Sequence, residues 1–453
     1  MKISISRNTV KSPINAVKNL GDYLPNLSLP SSNIKIAITG LSRAGKTVFI
    51  TSLVDQLLYQ SKLACITNKK LFKVTIKSPN LMTKRFDYYT YIDMLKKDNV
   101  WPKGTDEITN IVLEFECEKR FPWIVENKFC IELIDYPGEW LLDLSLLDMS
   151  FKEWSEKTLT WLTQIDDPLV HHYLQTINDV ETVEDKELWV KVHEEYKALL
   201  YHLKKNHYSQ LIPGRFIMPS DLASDPILHF APIKENNEKL QTFFKANYTN
   251  YVKKVVKEIH LEYFKGFDRQ VVLVDVIEAL QNSYACYKDM KLGLQSMFYL
   301  YDHKNKNPIS QWFSPSIKKV IFIATKADEV SSSQHANFSL LLDDMIEGMK
   351  KDMDIKHIKT DTQLVASLKT TKTIKKEHGG QMLSFIEGIL EKDGKLHHVY
   401  PGEIPSQFPS KDAWENQEES FKFLPPKKSY RDNEPLEHIN MDKAINKLIG
   451  DLL

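Results

Sequence analysis

Cysteine is scarce in this 453-residue chain: there are four, Cys65, Cys117, Cys130 and Cys286, widely spread and without a C-x-x-C pair. That usage excludes a disulfide framework and a structural zinc cluster, and it fits a reducing compartment. Net charge is lacking too. Sixty basic residues meet sixty acidic ones, so no global charge indicates nucleic acid or an anionic membrane as a partner. No run reaches the ~18 uninterrupted apolar residues of a membrane-spanning helix. The opening MKISISRNTVKSPINAVKNL has no continuous apolar core of the kind a signal peptide needs. Hydrophobic content of 42% and charged content of 26% are ordinary for a globular protein. Together these features lead to the expectation of a soluble cytoplasmic protein with two or three domains.

What is present begins with a weakly amphipathic segment (Val10, Ile14, Val17, Leu20) and a Pro/Asn/Ser-rich linker, so residues 1–33 read as an N-terminal tether. From Ile34 the pattern changes. IKIAIT reads as a short buried strand and KTVFITSLVDQLLYQ as a helix, with Val48, Leu53, Leu57 and Leu58 on its apolar face. Residues 60–85 are basic and read as a solvated face. Helical RFDYYTYIDMLKK follows, then the loop WPKGT at 101–105, then two strands, ITNIVLEFECE and KFCIELID. Residues from about 150 to 268 lack strand alternation and read as helical. QVVLVDV and KKVIFIATKADEV are again buried strands leading into helices, and QLVASLKTT (363–371) reads as a last strand of the same sheet. Strands alternating with helices predict an α/β fold with a mostly parallel sheet covered on both faces. The expected organisation is a tether at 1–33, a P-loop domain from 34–145 and 269–400, and a helical domain inserted at 146–268. An irregular extension at 401–453 ends in the helix DKAINKLIGDLL.

Three stretches carry chemistry. In 36-IAITGLSRAGKTVFI-50, Gly40 to Thr47 match G-x-x-x-x-G-K-[ST]. Gly40 and Gly45 let backbone approach an anion without a side-chain clash. Successive N–H groups of Ser42, Arg43, Ala44 and on through Val48 would point at phosphates at the start of a helix. Lys46 would reach the β and γ phosphates, and the Thr47 hydroxyl would hold Mg²⁺. The second stretch is 135-DYPGEW-140 at a strand end: Asp135 is suited to Mg²⁺ and the Gly138 N–H to a γ-phosphate, although strand-end Asp residues also simply cap turns. The third is 325-TKAD-328. Asp328 could accept two hydrogen bonds that guanine offers and adenine does not, with the stem of Lys326 along the base plane and Thr325 where Asn is more usual. Ala366, Ser367 and Leu368 stand where a backbone N–H would meet guanine O6. A sheet-end loop with solvated charges is the alternative.

GLSRAGKT, DYPG, TKAD and AS occur in the order of a Ras-like GTPase domain, over far more chain than such a domain needs. With 101-WPKGT-105, 212-IPGRFIMPSDLA-223, 268-DRQVVLVDV-276 and 439-INMDKAINKLIGDLL-453, the chain resembles the YcjX-like family of bacterial P-loop proteins from about Ile34 to Leu453. The resemblance implies a cytosolic GTP-binding fold with a large helical insertion, linked by association to stress responses. Within it, Thr105 is the candidate second Mg²⁺-ligand hydroxyl. Gly104 stands where the family's Trp-Pro motif has Ser. Trp101 either covers the nucleotide or is a core residue. Arg43 occupies the position of the arginine in the similar GLYRTGKS loop of guanylate-binding proteins. There it could fold over the phosphates and stabilise transition-state charge, or else brace the loop against an acid.

The residue after Gly138 is Glu139, where Ras-like enzymes carry a water-orienting Gln. Repulsion by a γ-phosphate argues against a carboxylate base there. The adjacent pairs His171–His172 and His397–His398 do not converge on one face and read as surface or structural. The expected activity is Mg²⁺-dependent binding of GTP/GDP with slow hydrolysis, Lys46, Arg43 and Thr105 carrying the chemistry. The helical block would pass the change to an as yet unnamed protein partner. An ATPase sharing the loop, and a scaffold that holds nucleotide without turning it over, are the competing readings. No polybasic or strongly amphipathic segment demands peripheral membrane contact.

Overall fold

The computed structural model describes residues 33–41, 43–59, 71–77, 84–104, 107–117, 128–179, 186–234, 238–258, 266–298, 317–414, 421–431 and 433–452. The expectations placed on Ser42, Thr105 and nearly all of the tether lie outside these residues.

Alternating apolar residues make a two-faced sheet. Its strands are β1 (Asn33–Gly40), β2 (Leu71–Lys77), β3 (Lys84–Arg85), β4 (Thr109–Cys117), β5 (Lys128–Asp135), β6 (Arg269–Val274), β7 (Lys319–Ala324) and β8 (Lys359–Leu364). Among the described residues the order is β2-β4-β5-β1-β6-β7-β8, with β3 beside β4. β5, β1, β6, β7 and β8 run parallel, while the β4–β5 and β2–β4 pairs are antiparallel. From β1 the strand order proceeds to opposite sides, through β5 on one and β6 on the other, so a crevice opens beyond the C-terminal ends of these parallel strands, where doubly wound sheets hold ligands. The fold is thus α/β, with the mostly parallel sheet that the sequence predicts.

Period two along the strands separates the two cores. Ile34, Ile36, Ile38, Val271, Leu273, Ile321 and Ile323 face one way. Ala37, Val272, Val274, Val320 and Phe322 face the other. The longer helices are α1 (Lys46–Tyr59), α2 (Phe151–Leu162), α3 (Pro168–Asp179), α4 (Lys186–Lys205), α5 (Glu238–Tyr251), α6 (Tyr284–Met297), α7 (His335–Ile355) and α8 (Met441–Ile449). α1 and α8 cover the first face. The buried residues of α2 to α7 belong to the second core. α2 starts at a capping box: the Glu153 N–H donates to Ser150 Oγ (3.2 Å) and the Ser150 N–H to Glu153 Oε2 (2.8 Å). Aromatic rings fill the centre of the helical block, with Trp154 5.4 Å from both Phe230 and Tyr248.

Several elements differ from the sequence reading, among them β2 and β3, which fall in or at the end of the 60–85 stretch that reads only as a solvated basic face. The last parallel strand is Lys359–Leu364, four residues earlier at its start than expected, and 365–371 already belongs to the loop beyond it. KTDTQL carries no apolar run because this strand is only half-buried, which hides it from a hydrophobicity pattern. Residues 372–399 form a second, antiparallel sheet of β9 (Lys372–His378), β10 (Gln381–Ile389) and β11 (Leu396–Val399). Its largely exposed, charged strands gave no buried-strand signal. In the C-terminal extension, Arg269 forks onto Asp451 (Nη2–Oδ2 2.8 Å), and the buried Asp55 accepts from Lys96 Nζ (2.8 Å) and the Leu436 N–H (2.6 Å).

Candidate functional site

β1 ends at Gly40, and α1 begins at Lys46. Arg43 (φ 66°) and Gly45 (φ 79°) lie in the left-handed region. No atom comes within 4 Å of a Cβ built on Gly45, so backbone conformation rather than space favours glycine there. At Gly138 the reason is space: a Cβ would sit 2.0 Å from the Gly40 carbonyl oxygen. The G-K-T loop and the D-Y-P-G segment therefore meet backbone to backbone.

Arg43, Ala44, Gly45, Lys46, Thr47 and Val48 line one wall of a cavity of about 590 Å³. Thr325, Lys326, Asp328, Ser367 and Leu368 line another, and Trp101 a third. Residues from three distant parts of the sequence thus converge on one space. Gly40, Asp135, Gly138 and Ala366 are buried and are not among the residues that line it.

At one end stands Asp328, buried at 6% exposure. Its Oδ2 accepts from both the N–H and the hydroxyl of Thr370, at 2.7 Å each. Burial raises its pKa, against those hydrogen bonds. Thr325 N–H donates to the Val274 carbonyl at 3.1 Å, tying the loop after β7 to the end of β6. Lys326 takes φ 57° and reaches Asp275 Oδ2 at 2.5 Å. Burial alone would lower the Lys326 pKa, but the Asp275 carboxylate outweighs it and holds the ammonium well above its ordinary value.

The other end is rich in charge. Lys46 Nζ donates to the Gly40 carbonyl at 3.1 Å. Arg43 Nη1 lies 2.9 Å from His207 Nδ1 and 3.4 Å from Glu278 Oε1, and His207 Nδ1 and Glu278 Oε1 are 2.5 Å apart. Glu139, at 3% exposure, accepts from Lys204 Nζ at 3.0 Å through Oε1. Burial alone would raise the Glu139 pKa, yet Lys46 and Lys204 together hold it below the usual range. Lys204, His207, Glu139 and Glu278 all line the cavity. Motif spacing does not single out Lys204, His207, Glu278 or Thr370. Their only sequence signals are the basic last turn of α4 and nearness to TKAD's neighbouring loop. Trp101 both lines the cavity and donates its indole N–H to the Phe423 carbonyl at 2.8 Å, so it is a wall residue anchored in the structure.

The Thr47 hydroxyl and the Asp135 carboxylate, which ends β5 beside Ile38 of β1, are oxygen donors of the kind a hard divalent cation takes together with phosphate oxygens. They fit Mg²⁺ better than a softer metal. Two relatives align over nearly the whole chain, each bearing the name Ras-like GTPase YcjX. The one from Escherichia coli K12 is 29% identical, across 98% of this chain and 99% of its own. The one from Shewanella oneidensis is 28% identical, across 93% and 95%. Residues 34–453 match the YcjX-like family, DUF463, and with its Ras-like sheet and phosphate-type loop the chain belongs to that family.

Proposed function

We propose that the protein binds GTP and GDP with Mg²⁺, hydrolyses GTP slowly, and changes conformation with the nucleotide it holds. The observation that carries this reading is that Asp328, oriented by Thr370, and the Lys46–Thr47 end of the G-K-T loop share one cavity. Its size suits a nucleotide. Guanine presents an N1–H and an exocyclic amine to a carboxylate; adenine would leave it buried and unpaired, a strong penalty. The names of the two relatives support the same direction.

Lys46, now held by the Gly40 carbonyl, would exchange that neutral partner for β and γ oxygens. The N–H groups from Arg43 to Val48 would point at the α and β phosphates. Thr47 and Asp135, with Thr105 as the proposed third ligand, would hold Mg²⁺, which supplies charge neutralisation at the bridging oxygens. Loss of the γ-phosphate would release Thr105 and Gly138. Because Gly138 touches Gly40, that change would be felt along the segment after it.

Calorimetry with GTP, GDP and ATP, with Mg²⁺, on the wild type and Asp328→Asn tests the reading. The expected outcome is tight guanine-nucleotide binding that shifts towards xanthine nucleotides in the variant. ATP binding that equals or exceeds GTP binding and ignores the substitution would leave an ATPase. The scaffold reading draws on Arg43 being engaged with Glu278 and His207. Phosphate released per bound GTP decides it: bound GTP that stays intact over many hours would leave only a structural nucleotide.

A further inference from the structure

One wall of the nucleotide cavity comes from the C-terminal extension, which reads as irregular chain in the sequence. Phe421, Lys422 and Phe423 line the cavity together with Trp101 and Pro102. Phe421 and Phe423 also line a second cavity of about 360 Å³, whose other walls are largely apolar, among them Leu280, Ile386 and Ile404. The segment is therefore a partition between two spaces. A residue that lines a void has no packing atoms on that side, so the ties at its edges set its position.

Those ties run in two directions. Towards β10, the Leu424 N–H donates to the Ile389 carbonyl and the Glu391 N–H to the Lys422 carbonyl, at 2.8 Å each, with Phe423 bridged to Leu390. The Phe423 ring lies over Gly388, where a built Cβ would sit 2.6 Å from Phe423 Cδ1, so the close approach requires glycine. Towards the site, the tie is the Trp101 indole N–H, which donates to the Phe423 carbonyl at 2.8 Å. Lys422, between the two aromatic residues, is exposed. No carboxylate among the described residues pairs with it, Glu391 of the same wall included. A cation without a partner in the wall of a cleft favours an anionic ligand there.

We infer that Phe421–Phe423 is a nucleotide-binding segment supplied by the C-terminal extension. Lys422 contacts the anionic ligand, and Trp101, acting through the Phe423 carbonyl, is the positioning residue that holds the segment against the site. This rests on the guanine-nucleotide reading and adds a consequence to it. Loosening the Trp101 tie opens one wall, so nucleotide leaves faster, while the contact at Asp328 and with it the preference for guanine are kept.

The test is release of radiolabelled GDP from the full chain, chased with excess unlabelled GDP in the presence of Mg²⁺. Selectivity for GDP over ADP and melting of the nucleotide-free protein are measured alongside. Trp101→Phe keeps an aromatic ring and loses the N–H. It is expected to release GDP about threefold to tenfold faster, the scale of one hydrogen bond between uncharged groups, with selectivity unchanged. Lys422→Gln is expected to quicken release about threefold, an effect that shrinks at high salt, and Lys422→Arg to restore the wild-type rate. An unchanged rate in either Trp101→Phe or Lys422→Gln overturns this inference and leaves the guanine-nucleotide reading standing. Faster release accompanied by lost guanine preference also overturns it, because the Asp328 end has then been disturbed. A wild type that binds no GDP overturns both.

Discussion

At the scale of single residues, Arg43 is where bracing and chemistry compete. Its guanidinium is 41% exposed and spans to Glu278 and His207, both beyond the loop it belongs to. A γ-phosphate bearing more charge than one carboxylate would draw it away, since an arginine offers several donors to an oxyanion. Arg43→Ala is therefore expected to slow phosphate release while leaving GTP affinity nearly intact; parallel loss of both would reduce Arg43 to a brace. Glu278→Gln should act oppositely. Removing the competing acid frees Arg43, and GTP should bind tighter by up to about fivefold, in line with the ~1 kcal/mol ceiling of a partly exposed ion pair. Weaker GTP binding by Glu278→Gln in calorimetry would mean that the acid organises Arg43 and does not compete for it. The two partners differ in legibility for a physical reason. Arg43 sits inside a spacing motif whose backbone geometry the sequence dictates. His207 meets it from 164 residues further along, by tertiary packing that no local pattern encodes. Thr370 was hidden in a milder way: the sequence pointed to 366–368, while the contact with Asp328 comes two residues later.

At the scale of elements, the segment after D-Y-P-G is held by the helical block. Residues 138–146 are buried throughout. Gly214 N–H donates to Asp143 Oδ1 at 2.7 Å, Tyr251 OH lies 2.5 Å from Oδ2, and Arg215 lies over the Trp140 ring at 3.8 Å. Burial pushes the Asp143 carboxyl up to about 7, against these hydrogen bonds. The sign follows from proton counting. Between its ordinary value and about 7 the folded state keeps a proton that the unfolded chain has lost, so stability falls as pH rises through that window. Asp289, raised by burial to about 6, adds a slope of the same sign. Melting temperature is thus expected to fall from pH 4 towards pH 7 at this site, and Asp143→Asn, which can still accept from Gly214 and donate to Tyr251, should flatten part of that fall. A slope unchanged in Asp143→Asn would mean that Asp143 is ionised in the fold. None of this was readable in advance, because burial of one aspartate among aromatic helices is a property of packing. IPGRF, noticed only as a family-like stretch, is the piece that grips it. Strands were legible where both faces are buried, as in β1, β6 and β7, displaced by four residues in the half-buried β8, and missed in the more exposed β9 to β11.

At the scale of the whole molecule, the boundary drawn at residues 146–268 is a boundary in sequence, while the apolar packing runs across it. Leu142, Trp154, Tyr196 and Tyr251 belong to the same buried cluster as Val272, Val274 and Phe322 on the sheet. A continuous interior transmits strain as a unit, since close-packed cores deform little. Helical block and sheet should therefore melt together, with far-ultraviolet circular dichroism and tryptophan fluorescence giving one midpoint. Trp140, Trp154, Trp161 and Trp189 report on the helical side, and the sheet contributes to the dichroism. A ligand that binds only the folded state adds about 2.7 kcal/mol at a hundred times its dissociation constant. Guanine nucleotide at that excess should raise both signals by the same amount, although its contacts would lie mainly on the sheet side. Two separated transitions, with nucleotide moving only one, would mean that the block folds independently, and the route from Gly138 through Glu139 to α4 would then have to act through surface contacts alone.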